Sequence, residues 1–464
     1  MRSAFTLALS WSVLVAGMAV PAAAQSAAPP TFSKDIAPVL YRACVSCHRS
    51  GGVAPMSLVT YQDARPWAKA IKQQVGARQM PPWGADPQHG KFKNDRSLSE
   101  TEIRAIAAWA DQGAPRGNDA DLPAAPAFAE GWSLREPDLV IEMPVDFEVP
   151  AEGQVDVIDF YVKAPITEDV FVKALEIRPG APQSVHHAGV YVIDSLPPGA
   201  SLINGRVISA EGKPMSRRDI AAALGRQSGR GENDKLLSFV PGRGYEEYQL
   251  GAGQRIKAGS YIDFYMHYQP TGVPVKDRTR IGLYLAKRGG EVTHQIYHGL
   301  EAAGPTSYIV DGKELGKLNS DDELPPIPPY VDDWTVVSVH AITEPITLHG
   351  LTPHLHLRGK SMKYTLILPD GREEILLNVP RYDFNWQVYY ELESPKRIPS
   401  GSKVIVTTLF DNSLKNRYNP APQNPVYWSD QSWDEMYAPQ VRITLDDRDL
   451  RRNEPTPARQ RQQR

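Results

Sequence analysis

Both cysteines of this 464-residue chain lie in one short run, Cys44-Val45-Ser46-Cys47-His48. Residues three apart on a helix face the same side, so both thiols can add to the vinyl groups of one porphyrin. The adjacent His48 can then present its imidazole to the iron as an axial ligand. A zinc site would need two further ligands nearby, and a thioredoxin-like site would need a βαβ setting. The spacing therefore predicts one covalently attached haem c.

The segment from this motif to a helix that contains Trp109 resembles a class I cytochrome c. That resemblance implies a methionine as the sixth iron ligand. Met80 is the first choice, because the two prolines that follow it hold the loop extended towards the iron. Met56 is the alternative. With histidine and methionine ligation, the iron would pass single electrons rather than bind oxygen.

Three histidines lie in apolar runs whose pattern is typical of β-strands. His186 and His187 are adjacent, and His267 belongs to a later run. Neighbouring residues in a regular strand point to opposite faces. His186 and His187 can therefore bind one metal ion only where the strand is distorted or ends. An isolated histidine is more often a hydrogen-bonded structural residue. These three histidines therefore indicate a metal site only if the fold brings them together.

A second set combines two histidines with a methionine. His354 and His356 flank Leu355, which places both imidazoles on one face of a strand, with Cα atoms about 7 Å apart. This arrangement suits chelation of a single ion. Met436, in the run Asp434-Glu435-Met436-Tyr437, adds a soft thioether if the fold brings it alongside. A thioether with imidazoles favours copper, particularly Cu(I), over zinc.

The order of these groups resembles that of the two-copper, ascorbate-dependent monooxygenases, the family of peptidylglycine α-hydroxylating monooxygenase and dopamine β-monooxygenase. The resemblance spans residues 138–446 and implies two successive jelly-roll-like domains that hold two copper ions. It implies that the electron-transferring copper is bound by His186, His187 and His267. It also implies that oxygen is activated at a second copper, whose ligands and catalytic residues are His354, His356 and Met436.

The chain departs from that family in three respects. Its β region has no cysteine, whereas the animal enzymes are braced by several disulfides. Leu357-Arg358 follow the His-x-His run, where a family-like third histidine would stand. No residues match the family's recognition of a peptide carboxylate or a catechol, so the identity of the substrate does not carry over.

The elements that must position these residues follow from the periodicity of apolar residues. Helical spacing and a capping box of Ser99 with Glu102 predict a small helical unit near the N-terminus. From about residue 138 the pattern alternates with period two and has frequent turns, which favours antiparallel sandwiches. The predicted fold is multidomain, with a small all-α cytochrome c domain followed by two all-β antiparallel sandwich (jelly-roll-like) domains. The predicted boundaries are a signal peptide at 1–24, the cytochrome c domain at 25–115, a linker at 116–137, the first sandwich at 138–315, a Pro-rich linker at 316–333, the second sandwich at 334–449 and a disordered tail at 450–464.

Composition and the N-terminal segment indicate where the protein acts. With 51 basic and 54 acidic residues the net charge is −3, which argues against nucleic acid as a partner. A positive start, an apolar run and Ala22-Ala23-Ala24 are typical of a cleaved signal peptide. The run is shorter than the roughly 20 residues that a spanning helix needs. We therefore expect a periplasmic or secreted protein without a membrane span.

These observations lead to one functional hypothesis and one alternative. The hypothesis is a copper-dependent monooxygenase that hydroxylates a C–H bond of a small organic substrate with dioxygen. An ascorbate-like reductant or a redox protein would supply electrons, which the haem would pass to two coppers. The alternative is a non-catalytic periplasmic cytochrome that transfers electrons or binds copper.

Overall fold

A computed structural model describes residues 28–129, 131–225, 235–239, 244–287, 290–318 and 323–452. Within them the chain is mostly β-sheet with few helices, which confirms the prediction of β-sandwich domains in that general form. The predicted signal peptide and residues 453–464 of the predicted tail lie outside the described residues. No helix among the described residues is both long and apolar enough to cross a membrane.

A helical unit occupies residues 32–121. Its α-helices are short, with bounds Ala37–Ala43 (α1), Tyr61–Ala64 (α2), Ala68–Gly76 (α3) and Glu100–Asp111 (α4). The predicted capping box forms, because the Ser99 hydroxyl accepts the Glu102 N–H at 3.2 Å and the Glu102 carboxylate accepts the Ser99 N–H at 2.8 Å. Trp109 is fully buried in the core of this unit and donates its indole N–H to the Pro115 carbonyl. Assignment of the unit to the cytochrome c fold stays a prediction.

Strands make up the rest of the described chain. The first part contains β1 (Leu139–Glu142), β2 (Phe147–Val149), β3 (Ile158–Lys163), β4 (Val170–Arg178), β5 (Val185–Ile193), β6 (Ser201–Ile203), β7 (Arg206–Ile208), β8 (Pro214–Met215), helix α5 (Arg217–Ala223), β9 (Lys235–Phe239), β10 (Tyr245–Glu247), β11 (Ala252–Ile256), β12 (Tyr261–Tyr268), β13 (Val275–Asp277) and β14 (Arg280–Leu285). The second part contains β15 (His294–Tyr297), β16 (Thr306–Val310), β17 (Lys313–Gly316), β18 (Trp334–Ala341), β19 (Ile346–His354), β20 (Gly359–Ile367), β21 (Glu373–Val379), β22 (Tyr390–Ile398), β23 (Lys403–Phe410) and β24 (Ala438–Leu445).

The first sandwich packs two sheets around one apolar core. One sheet has the order β1-β14-β4-β11, with β10 on β4, and the other has the order β3-β12-β5-β9. Val190 of β5, Ile262 of β12 and Ile281 of β14 are fully buried between them. β5 and β12 are antiparallel neighbours, which brings their histidine-bearing ends together.

The second sandwich shares a sheet with the first. β15-β24-β19-β22 pack against the sheet β17-β16-β18-β23-β20-β21. β15 pairs in parallel with β11 and antiparallel with β24, so one nine-stranded sheet runs through both sandwiches. This continuous sheet fixes the end of β19 relative to the first sandwich.

The boundary between the sandwiches differs from the predicted one at 316–333. β16 pairs with β18, so strands that precede the Pro-rich segment already belong to the second sandwich. Leu324 and Ile327, within that segment, are buried in the second core. Proline cannot donate a backbone hydrogen bond to a neighbouring strand, so a Pro-rich segment marks a connection between strands without showing which strands it joins. Here the segment joins strands of one sandwich rather than two separate sandwiches.

Residues 83–94 attach the helical unit to the second sandwich. The Lys93 N–H donates to the Glu391 carbonyl at 2.9 Å, which adds an extended segment to the outer edge of β22. The Trp83 ring meets the Tyr390 ring edge-on, with centroids 4.8 Å apart. The helical unit is therefore held by both backbone and aromatic contacts.

Candidate haem site and metal centre

The predicted haem-attachment residues follow directly on α1. The N–H groups of Cys47 and His48 bond to the Cys44 carbonyl at 3.1 and 3.0 Å, so the chain continues in a tight turn. Both cysteines are free and half-buried. Burial raises the pKa of the Cys44 thiol to about 12. Two free thiols in one turn beside an imidazole fit covalent attachment of a porphyrin.

The imidazole of His48 is held in one orientation. Its Nδ1 lies 3.3 Å from the Met56 carbonyl. A carbonyl only accepts, so Nδ1 carries the proton and Nε2 keeps a lone pair for a metal. Burial lowers the pKa of His48, which also favours the neutral ring. The Met56 backbone lies on the Nδ1 side of the ring, and the choice of Met80 over Met56 as sixth ligand stays a prediction.

The strand distortion on which the histidine doublet depends is present in β5. His267 pairs with His187, and the next pair is Tyr268 with Val185. His186 is therefore an extra residue, a β-bulge, in β5. The bulge interrupts the alternation of side chains, so the His186 ring lies 5.2 Å from the rings of both His187 and His267.

The nitrogen atoms of these three histidines converge. Nδ1 of His187 lies 3.2 Å from Nδ1 of His186 and 3.3 Å from Nδ1 of His267. Two nitrogen ligands of a tetrahedral ion with bonds of about 2.0–2.1 Å lie about 3.3–3.4 Å apart, so the spacing fits one bound ion. Burial lowers the pKa of His186 to about 4 and that of His267 to about 3. The rings are thus neutral at pH 7 and keep the lone pairs that a metal needs.

His354 and His356 share one face at the end of β19. Their ring centroids are 5.3 Å apart, and the intervening Leu355 is fully buried in the sandwich core. Nδ1 of His354 donates to the Gln387 side-chain oxygen at 2.6 Å, and Nδ1 of His356 donates to the Asp434 carbonyl at 3.3 Å. Both Nε2 atoms therefore keep lone pairs for a metal. Burial lowers the pKa of His354 to about 4.

The Met436 and His356 backbones come together just beyond the paired strands β24 and β19. The antiparallel register, continued past His354, places Met436 opposite His356. The Glu435 carboxylate accepts the N–H groups of His356 at 2.8 Å and Met436 at 3.0 Å. Tyr437 is buried in the core, and ligation by the Met436 thioether stays a prediction. Burial raises the pKa of Glu435 to about 7.

The two sets of histidines meet at the junction of the sandwiches. The rings of His187 and His354 have centroids 6.3 Å apart. The Phe384 ring lies among them, at 5.3 Å from His186, 6.4 Å from His267 and 5.7 Å from His356. We call this group the five-histidine cluster; its members are His186, His187, His267, His354 and His356.

Sequence reasoning missed three residues of this centre. Phe384 and Gln387 lie on the connection between β21 and β22, where no pattern marks them. Glu435 stood next to Met436 in the sequence, but its role depends on backbone groups of a distant strand, including the Arg358 N–H at 2.6 Å. The signal available in the sequence for Glu435 was its charge at a position that strand pairing would bury.

Three other histidines are hydrogen-bonded as parts of the sandwich framework. His340 bonds to Thr306 at 2.8 Å, and His349 bonds to Thr444 at 3.1 Å. His294 donates to the Asp446 carbonyl at 3.3 Å. These bonds match ordinary structural roles.

No known family model matches this chain, and no curated protein matches it. A solved structure of PNGF-II is similar at 10% identity with a TM-score of 0.24, covering 66% of this chain and 65% of that one. The tandem CBM22-1-CBM22-2 domain of Xyn10C from Paenibacillus barcinonensis is similar at 9% identity with a TM-score of 0.15, covering 62% of this chain and 82% of that one. Neither similarity bears on the fold or function of this chain.

Proposed function

We propose that this chain is an exported, copper-dependent monooxygenase that hydroxylates a C–H bond of a small organic substrate, with a covalent haem c as its electron relay. The observation that carries the proposal is the convergence of the five-histidine cluster from strands β5, β12 and β19. Structural roles for five separate histidines would not require their rings to gather at one place, nor the nitrogen atoms of three of them to converge. Met436, whose backbone N–H shares the Glu435 carboxylate with that of His356, would add the soft ligand that favours copper.

The two ligand sets suit two different tasks. His186, His187 and His267 offer three imidazoles for a copper that transfers electrons. His354 and His356, with Met436, offer the softer set for the copper at which dioxygen is reduced. Bound copper would supply one electron from each ion; with these two electrons and two protons from solvent, one atom of dioxygen would enter the substrate and the other would leave as water.

The surrounding residues of this chain orient the ligands. Gln387 and Asp434 hold the protons on Nδ1 of their histidines, which aims each Nε2 at the metal. Glu435 holds the backbones of His356 and Met436 together. Phe384 places an apolar ring against His186, His267 and His356.

The helical unit is proposed to be a class I cytochrome c domain with the haem attached at Cys44 and Cys47. His48 would be one axial ligand and Met80 the other. The free thiols in one turn and the bond from His48 to the Met56 carbonyl support this assignment. Because haem of this kind is attached outside the cytoplasm, we propose a periplasmic or secreted location. An ascorbate-like reductant or a redox protein would re-reduce the iron.

Metal analysis and oxygen consumption test the proposal. Protein matured in a periplasm is expected to contain about one haem and about two coppers per chain. With a reductant, its oxygen consumption should rise when a suitable substrate is added, and hydroxylated product should accumulate. Redox cycling without product across a panel of substrates would instead identify a non-catalytic electron carrier.

A further inference from the structure

We infer that the first sandwich positions the loop at residues 429–436, and with it the His356 side of the five-histidine cluster. Arg218 is the positioning residue, and it acts through Asp430 on the loop that holds the His356 ring. Treating His356 and Met436 as metal ligands rests on the proposed function. The contacts that hold the loop belong to the chain alone.

Arg218 lies in a folded excursion from the first sandwich, formed by β6, β7, β8 and α5. Ile220 of α5 packs against Tyr161 of β3 in a small apolar core of its own. The Arg217 N–H donates to the Asp159 carboxylate of β3 at 3.2 Å. The backbone that carries Arg218 is therefore fixed to the first sandwich.

Three contacts join the first sandwich to the start of the 429–436 loop. Nε of Arg218 lies 2.9 Å from the Asp430 carboxylate, and both side chains are partly buried. The Tyr265 hydroxyl of β12 donates to the Asp430 carbonyl at 3.4 Å. The Gln431 side-chain oxygen accepts the Val157 N–H at 3.2 Å. An ion pair and two hydrogen bonds thus hold two successive loop residues against the first sandwich.

Bonds inside the loop connect these residues to the ring of His356. The Asp434 N–H donates to the Gln431 carbonyl at 3.1 Å, and the Ser429 hydroxyl donates to the Asp434 carboxylate at 2.7 Å. The Asp434 carbonyl in turn accepts Nδ1 of His356 at 3.3 Å. Because these bonds close a compact turn, a shift of Asp430 would displace the carbonyl that orients His356.

The end of the loop is held by the second sandwich. The Arg358 guanidinium donates to the Trp433 carbonyl at 2.6 Å. The Glu435 carboxylate accepts the backbone N–H groups of His356 and Arg358. The loop therefore bridges the two sandwiches, and its order depends on contacts with both.

Hydrogen–deuterium exchange of the full chain without added copper tests the positioning of the loop. Arg218→Gln removes the cation but keeps a polar side chain. Amide exchange at residues 429–436 is expected to become severalfold faster, while the strands of both cores exchange as in the wild type. Arg255→Gln is the matched control, because it removes an ion pair with Asp169 elsewhere on the first sandwich and should leave the loop unchanged.

A double-mutant cycle tests whether the ion pair itself is responsible. Asp430→Asn should accelerate exchange in the same segment, and Arg218→Gln should add little to it, because both changes remove one interaction.

Competition with a copper(I) chelator gives a second readout. In the His186→Ala background, which isolates the ligand set of the second sandwich, Arg218→Gln should lower the affinity for copper(I) severalfold. Arg255→Gln should leave that affinity unchanged. A role for Arg218 confined to the stability of its own excursion would not change copper(I) binding in the other sandwich.

The outcomes separate this inference from the proposed function. Wild-type exchange at residues 429–436, or wild-type copper(I) affinity, in Arg218→Gln would overturn the inference and leave the oxygenase proposal standing. Faster exchange spread evenly over the first sandwich would also overturn it, because that result indicates a general loss of stability. Local acceleration in a chain that takes up no copper would support the positioning of the loop and overturn the proposed function.

Discussion

The imidazole rings of His187 and His354 lie 6.3 Å apart, although one belongs to β5 of the first sandwich and the other to the end of β19 in the second. The continuous sheet through β11, β15 and β24 holds these strands in place. Metal ions bound by the two ligand sets would be neighbours rather than independent centres.

Two cupric ions in the five-histidine cluster are expected to interact magnetically. The electron paramagnetic resonance spectrum of fully loaded protein should be broadened relative to the sum of two isolated sites. His356→Ala, which removes one ligand of the second set, should give the sharp spectrum of one isolated copper. A fully loaded spectrum that equals the sum of two isolated sites would contradict the adjacency of the metal sites.

His186→Ala should weaken copper binding by the first ligand set enough for the ion to be lost on dialysis. The bulge places the His186 ring 5.2 Å from the rings of both His187 and His267, and two remaining imidazoles bind an ion more weakly than three. Copper content after dialysis should fall by about one ion per chain, while the haem content stays the same. His294→Ala removes a histidine that bonds to a carbonyl instead, and should retain all the copper.

Met436→Ala should weaken the second site selectively for copper(I). Loss of the thioether leaves two imidazoles, a set that no longer discriminates strongly against zinc. Competition with a copper(I) chelator should show lower affinity at this site and unchanged affinity at the other. Equal copper(I) affinity in Met436→Ala and wild type would exclude Met436 as a ligand.

Glu435→Ala should destabilise the metal-free protein. The carboxylate accepts three backbone N–H groups, and each buried donor left without a partner costs about 1–3 kcal/mol. The free energy of unfolding measured by urea denaturation should therefore fall by at least about 1–3 kcal/mol, the cost of one such donor. Glu374→Ala, which removes an exposed ion pair with Lys396, is the control and should cost about 0.2–1 kcal/mol. Similar losses in both variants would contradict the structural role of Glu435.

The metal-free protein should lose stability as the pH falls below about 6.5. Burial lowers the pKa of His186 and His354 to about 4 and of His267 to about 3 in the folded state. Between these values and 6.5 the unfolded chain binds protons that the folded chain does not, so the free energy of unfolding decreases on acidification. Each such histidine contributes up to about 1.4 kcal/mol per pH unit. Urea midpoints should be measured across this pH range for the wild type and for His267→Gln. The midpoint should change less steeply with pH in the variant than in the wild type.

Local sequence was enough to predict which residues could do chemistry. The Cys44 and Cys47 spacing, the identical face of His354 and His356, and the capping box at Ser99 depend only on helix and strand geometry within a few residues. The period-two alternation likewise predicted a mostly β architecture, since side-chain alternation follows from the strand backbone itself.

The arrangement of distant segments was decided by the tertiary structure. Sequence could state that His186 and His187 need a distorted strand, but the bulge arises from the register of β5 against β12. The Met436 and His356 backbones come together only because β24 pairs with β19, and residues 83–94 reach Tyr390 only because they pair with the outer edge of β22. Strand partners and packed faces are chosen by the burial and hydrogen bonding of the whole chain, which no local spacing encodes.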